Sequence, residues 1–212
     1  MSPDRSPRFD TAVFDLGGVL ADWDPRYLYR GLFDGDTERM EHFLATVTTP
    51  EWNHAMDAGR DRAEAVAELV AKHPQHEALI RAWVERWADM LGPEIAGTAV
   101  ILAELDDAGV RLLALTNWSA ETFPLARSSY PSIARFRGVV VSGEHKLAKP
   151  DPALFDILLR TYAVDPALAV YVDDRADNVR VAQALGLTGL VFSSPPRLRA
   201  DLERLGLLAP RP

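Results

Sequence analysis

Four short stretches, in a fixed order along the chain, put reactive side chains where apolar runs break into polar turns. Asp15 lies in FDLGGVL, Thr116 and Asn117 in LLALTNWS, Lys149 in KLAKPDP, and the pair Asp173-Asp174 in YVDDRADN. Asp15 is a carboxylate able to attack an electrophile or to ligate a metal. Asp173 and Asp174 would add further carboxylates, and such a group repels itself unless a cation intervenes. Magnesium suits the arrangement, because it takes a few carboxylate oxygens and keeps waters that a phosphate can replace. Lys149 would supply a point charge to a phosphoryl group and shield the nucleophile. Thr116 and the backbone of Asn117 would donate hydrogen bonds to oxygens that gain charge. Taken singly, each position has an ordinary explanation. A strand-end Asp is usually a turn former or a cap, Asp173-Asp174-Arg175 could be a solvated turn with a weak ion pair, and Lys149 before Pro150 could be a surface lysine. Their joint order and spacing argue against these explanations.

The elements between the motifs set where those side chains can go. Thr11 to Leu16 reads as a buried strand that ends at Gly17-Gly18. From Pro25 to about Leu91 no second strand is expected, only helices broken near Gly35, Pro50, Gly59 and Pro74. Asp61 with Glu64 marks a helix start. Leu79, Trp83, Trp87 and Met90 follow at helical spacing, with the tryptophans read as packing rather than as a ligand box. After Pro93 helix and strand alternate. Helices are expected from Ile95 to near Gly109, from Ser119, from Asp151-Pro152, over Ala176–Leu185 and over Pro196–Leu205. Strands are expected over Val110–Leu115, Gly138–Val141, Ala169–Val172 and Leu190–Phe192. Such alternation implies an α/β protein, a Rossmann-like parallel sheet with helices on both faces. The helical stretch is then an insertion after the first strand. The expected division is an N-terminal tail 1–10, a core of 11–21 and 92–212, and a helical cap 22–91. Strand-end motifs in such a sheet meet at one edge, where ligands bind.

Composition narrows the chemistry. A chain of 212 residues fits one large domain, or a core with a small insertion. The net charge of −8 argues against a nucleic-acid surface. There are no cysteines, which excludes disulfides, thiolate metal sites and thiol nucleophiles. No run approaches the roughly 18 apolar residues of a membrane span, and MSPDRSPRFD lacks the apolar core of a secretory signal. A cytoplasmic enzyme with a small-molecule partner is expected, either a monomer or a homodimer.

As a set, the motifs resemble the haloacid dehalogenase superfamily, mostly magnesium-dependent phosphatases that work through an aspartyl-phosphate. The likeness covers essentially the whole chain after residue 10. It implies that Asp15 is the nucleophile and that Asp15, the Gly17 carbonyl and Asp174 hold magnesium, with Asp173 and Asn178 behind them. Asn178 stands where relatives often carry an acid. The resemblance also implies that the helical insertion is a cap that closes over the site and selects a small phosphorylated substrate. Gly18, His54, Arg60 and Trp118 are candidate substrate contacts, although His54 also reads as a helix-surface residue.

Gly17 departs from the pattern. Most similar phosphatases carry there an Asp that protonates the leaving oxygen and then activates water, help worth about 10²–10⁴-fold. Three explanations stand open. Asp22, Asp24 or His54 could reach in from the turn or the cap. The substrate could have an easy leaving group, such as the anomeric oxygen of a sugar 1-phosphate; FDLGGVLADWDP resembles a sugar-phosphate phosphatase branch with glycine at this position. Or catalysis is weak, and the protein is a phosphometabolite-binding module. The alternative enzyme is a metal-independent 2-haloacid dehalogenase, similar at Asp15, Asn117 and Lys149. Those enzymes generally lack the acid pair that Asp173-Asp174 provides.

Overall fold

The computed structural model describes residues 9–210, so all but the last two residues of the expected tail 1–10 lie outside the described residues. Its centre is the strand β1 (Thr11–Phe14), buried at every position. A run without polar alternation is what a parallel strand covered on both faces requires. After a tight turn through Gly17 and Gly18 comes β2 (Ala21–Trp23), followed by five helices: α1 (Arg26–Leu32), α2 (Thr37–Thr46), α3 (Pro50–Asp57), α4 (Arg62–Lys72) and α5 (Glu77–Glu85). The chain returns through β3 (Leu91–Glu94) and then alternates. In order come α6 (Ala96–Asp107), β4 (Arg111–Thr116), α7 (Phe123–Ser129), β5 (Gly138–Val141), the short α8 (Ser142–His145) and α9 (Pro152–Thr161). The remaining elements are β6 (Ala169–Asp173), α10 (Ala176–Ala184), β7 (Thr188–Val191) and α11 (Pro195–Arg204).

Five strands form one sheet in the order β5-β4-β1-β6-β7, with every neighbouring pair parallel. Period-two alternation sends successive side chains to opposite faces. Ala12 and Phe14 join Leu102, Leu202 and the apolar side of the helical region, whereas Val13 joins Leu113, Leu115, Tyr171, Leu154 and Phe155 under α9 and α10. The α/β architecture and the helical region after β1 are as expected. No helix among the described residues is long and apolar enough to cross a membrane.

Three local expectations need correction. Two strands absent from the expected set frame the insertion: β2 and β3 pair antiparallel on either side of the five helices. Each strand is too short to announce itself, and Gly92-Pro93 lowers strand propensity. The helix carrying Leu79 and Trp83 stops at Glu85, and Trp87–Met90 forms a 3₁₀ turn, because Leu91 must already be extended opposite Trp23. The helix expected from Ser119 begins only at Phe123, after a turn closed by Ser119. Elsewhere the caps read from sequence are present. Asp61 accepts from the Glu64 amide at 2.9 Å and Asp151 from the Ala153 amide at 2.9 Å.

Candidate active site

Because β1 lies between β4 and β6, the carboxyl ends of these three strands sit side by side. Each delivers a polar residue at its end. Asp15 follows Phe14, Thr116 closes β4 and Asp173 closes β6. From β1 the chain builds β4 and β5 on one side and then crosses to add β6 and β7 on the other, which makes this edge the switch point at which open α/β sheets bind ligands.

Lys149, only 2 % exposed, is the hub. Its Nζ lies 2.9 Å from Asp15 Oδ1 and 2.8 Å from Asp173 Oδ2, and donates to the Leu115 carbonyl at 2.9 Å. The loop that presents it is held by a reciprocal pair. The Lys149 amide donates to Asn117 Oδ1 at 2.8 Å, and Asn117 Nδ2 donates to the Lys149 carbonyl at 3.0 Å. The Asn117 side chain therefore positions Lys149. Asp173 is saturated with donors besides Lys149: the Tyr171 hydroxyl at 2.6 Å, Asn178 Nδ2 at 3.0 Å to each oxygen, and the Arg175 amide at 2.8 Å. Asp15 Oδ1 also accepts from the Leu16 amide at 2.7 Å.

Burial raises the Asp15 carboxyl to about 7 against the attraction of Lys149, and Asp173 adds to the rise. Burial acts upward on Asp173 as well, but Lys149 and the donors around it outweigh that and hold it below the ordinary carboxylate value. Desolvation opposes the charge on Lys149, yet the two carboxylates keep its ammonium above the ordinary lysine value. Asp174 is raised by desolvation and by its neighbour Asp173.

The donor set fits a hard divalent cation. Asp15, Asp173 and Asp174 each offer an oxygen, and these atoms lie within 4.8 Å of one another. With Asp173 fully engaged, Asp15 and Asp174 are the pair with coordination capacity left. Gly18 stands at φ +71°, and a Cβ there would come within 2.8 Å of Asp174 Oδ2, so only glycine lets the turn pass this close. The buried Thr116 hydroxyl has no hydrogen-bond partner among the described residues. An orphaned donor at a strand end suits an anionic oxygen from a ligand.

Above this edge a cleft of about 950 Å³ runs between the helical region and the sheet, lined among others by Asp24, Arg26, His54, Asp57, Asn117, Lys149 and Arg175. Opening from the same edge, a smaller cavity of about 90 Å³ is lined by Gly17, Asn117, Trp118, Trp23, Trp87, Asn53 and Asp57. The structure thus gathers Asp15, Gly17, Gly18, Thr116, Asn117, Trp118, Lys149, Asp173, Asp174 and Asn178 at one edge. His54 is exposed at the wall of the larger cleft. Arg60 is paired with Glu68 at 2.6 Å and lines neither space. Two residues were missed. Tyr171 was legible in principle, since position two before Asp173 shares its face of the strand. Asp57, at the last turn of α3, belongs to no motif, and only the packing of α3 against α8 brings it here.

The chain is similar to several known proteins. The sesquiterpene phosphatase astK of Aspergillus oryzae is 28% identical over 93% of this chain and 96% of its own length. A wild-type HAD family enzyme of Bacteroides thetaiotaomicron, in complex with magnesium and inorganic phosphate, superposes with TM-score 0.65 at 20% identity, over 88% of this chain and 95% of that one. The L-2-haloacid dehalogenase of Xanthobacter autotrophicus with chloropropionic acid covalently bound shares the fold too, at TM-score 0.61 and 17% identity over 95% and 85% of the two chains. The model for haloacid dehalogenase-like hydrolases matches residues 9–186, and this chain belongs to that hydrolase family.

Proposed function

We propose that the protein is a magnesium-dependent phosphomonoesterase that works through an aspartyl-phosphate at Asp15, on a small phosphorylated metabolite. The observation that carries this reading is the acid trio of Asp15, Asp173 and Asp174. A dehalogenase needs no second acid beside its nucleophile, whereas a metal-assisted phosphoryl transfer does. Asp15, Asp174 and the Gly17 carbonyl would hold magnesium, which offsets the charge gathered at the site and polarises the phosphoryl group. Asp15 attacks phosphorus in line. Lys149 and the Thr116 hydroxyl stabilise the oxygens that gain charge. Asn117, Asp173 and Asn178 keep Lys149 in place. Residues 22–91 serve as the cap that excludes water and selects the substrate. The name of the Aspergillus relative supports hydrolysis of a phosphate ester, and the sequence likeness points to a sugar phosphate as the class to try first.

The test is phosphate release from sugar 1-phosphates, sugar 6-phosphates and an aryl phosphate, with and without magnesium, beside Asp15→Asn. Turnover that needs both magnesium and Asp15 supports the proposal. A marked preference for 1-phosphates assigns the tolerance of Gly17 to an easy leaving group, and equal rates on 6-phosphates assign it to an acid from elsewhere in the protein. Halide released from 2-chloropropionate without metal, and no phosphate from any ester, would sink it. Silence in both assays would leave a binding module.

A further inference from the structure

Resting on that reading, we propose that Asp57 makes the proton transfers that Gly17 cannot. In the first step Asp15 forms a bond to phosphorus, the bond from phosphorus to the ester oxygen breaks, and the leaving oxygen takes the proton of the Asp57 carboxyl. In the second step a water gives its proton to the Asp57 carboxylate and its oxygen bonds to phosphorus. The bond to Asp15 then breaks, inorganic phosphate departs and Asp57 is again protonated.

The geometry comes from the smaller cavity. Gly17 and Asn117 line it from the sheet edge and Asp57 from α3. A Cβ at Gly17 would meet nothing within 4 Å, so the space an acidic side chain would fill there is open, and Asp57 borders that same space. Trp23, Trp87 and Trp118 form much of the remaining wall, an apolar surround that leaves few competitors for a proton. Asp57 is also held firmly. Its Oδ2 accepts from Asn53 Nδ2 at 2.9 Å, and its carboxylate takes the Ser119 amide. Its main-chain carbonyl accepts from Ser142 Oγ at 2.5 Å, and Ser142 Oγ in turn accepts from the Trp118 amide at 2.8 Å. The acids suggested by sequence are placed less well. Asp22 is bonded to the Tyr27 hydroxyl at 2.6 Å and lines neither space, and Asp24 is tied to Arg26 at 3.2 Å.

Desolvation pushes the Asp57 carboxyl up to about 7, against the Ser119 amide, Arg62 of α4 and Asn53 of α3. The buried Arg62 also faces Glu121 from the loop before α7. A group that is part protonated near neutrality can serve as acid and then as base.

The experiment compares an alkyl phosphate with 4-nitrophenyl phosphate, whose leaving group needs no proton. For Asp57→Asn, turnover of the alkyl ester falls by about 10²–10⁴-fold. The aryl ester then gives a burst of one nitrophenolate per active site, because Asp15 is still phosphorylated while the water step lacks its base. Adding Gly17→Asp to that variant restores turnover of the alkyl ester. Equal losses on both esters, with no burst and no rescue, would overturn the proposal. If the Asn variant does not fold, the unmodified protein answers instead. Its kcat/KM falls steeply from nitrophenyl to alkyl esters only when no acid protonates the leaving oxygen, so a steep fall overturns the role of Asp57. Dependence of wild-type turnover on Asp15 and magnesium decides the reading of the site; the difference between the two esters decides Asp57.

Discussion

Among single residues, Lys149 has the largest electrostatic part. It is buried between Asp15 and Asp173, and its Nζ reaches both within hydrogen-bond distance. Replacing it with Met would keep most of the stem volume and leave two carboxylates without their cation. Removing one partner of a buried ion pair costs about 3–5 kcal/mol, because the remaining charge stays desolvated. The cost depends on pH in a defined direction. At pH 8 both acids must be ionised or bind protons against the solvent, whereas at pH 5 they can take up protons and shed the unpaired charge. Urea unfolding in EDTA should therefore show Lys149→Met losing several times more stability at pH 8 than at pH 5. Equal losses at both would mean that the packing of the lysine stem, rather than its charge, is what the fold uses.

At the scale of elements, the β2–β3 ribbon decides how the five inserted helices sit over the sheet edge. It is bracketed by Ile95 donating to the Leu20 carbonyl at 2.8 Å and Asp24 donating to the Met90 carbonyl at 3.0 Å. Two ties fasten it to the segment after α7. The Tyr130 hydroxyl lies 3.1 Å from the carbonyls of both Asp22 and Gly92, and Glu94 accepts from the Ser132 amide at 2.7 Å and its hydroxyl at 3.0 Å. Tyr130→Phe removes the first tie and should lower the opening free energy of the ribbon by about 0.5–1.5 kcal/mol. Hydrogen exchange would read this as faster amides in residues 21–23 and 91–94 with β1 and β6 unchanged; acceleration throughout would mean that the ribbon does not open separately. This ribbon also marks where sequence stopped being informative. The five parallel strands were legible because each is a short apolar run bounded by Gly, Asp or Pro, and the motif residues were legible because they stand at the ends of those runs. Residues 21–23 and 91–94 carry no such pattern, since their pairing is fixed by contacts some 70 residues apart in the chain rather than by local propensity. Asp57 was illegible for the same reason: its meaning comes from α3 resting on α8, which no spacing records.

At the scale of the molecule, the inserted helices and the sheet share one apolar core. Tyr29, Met40 and Trp83 belong to the same buried cluster as Phe14, Ala114 and Leu102, so local changes at the site are felt by the whole fold. The pH dependence of global stability then follows from the strained acids. Asp15 and Asp57 both titrate in the folded protein near 7, well above the ordinary carboxylate value, with burial the leading cause in each. Between about pH 4 and 7 the unfolded chain releases these protons while the folded protein keeps them, so stability falls as pH rises through that window. Asp173, held below the ordinary value, contributes only at lower pH, and Lys149, held above it, only at alkaline pH. Exposed pairs such as Arg60 with Glu68 add little. The metal-free protein should therefore melt at a lower temperature at pH 8 than at pH 5. Magnesium favours the ionised forms of Asp15 and Asp174, so it binds more tightly as pH rises and stabilises by mass action. Thermal melts in EDTA and in millimolar magnesium, at both pH values, would show a small metal-induced shift at pH 5 and a large one at pH 8, enough to offset the metal-free decline. A shift of the same size at both would mean that the ion sits away from Asp15, and the acid trio would lose its assigned role.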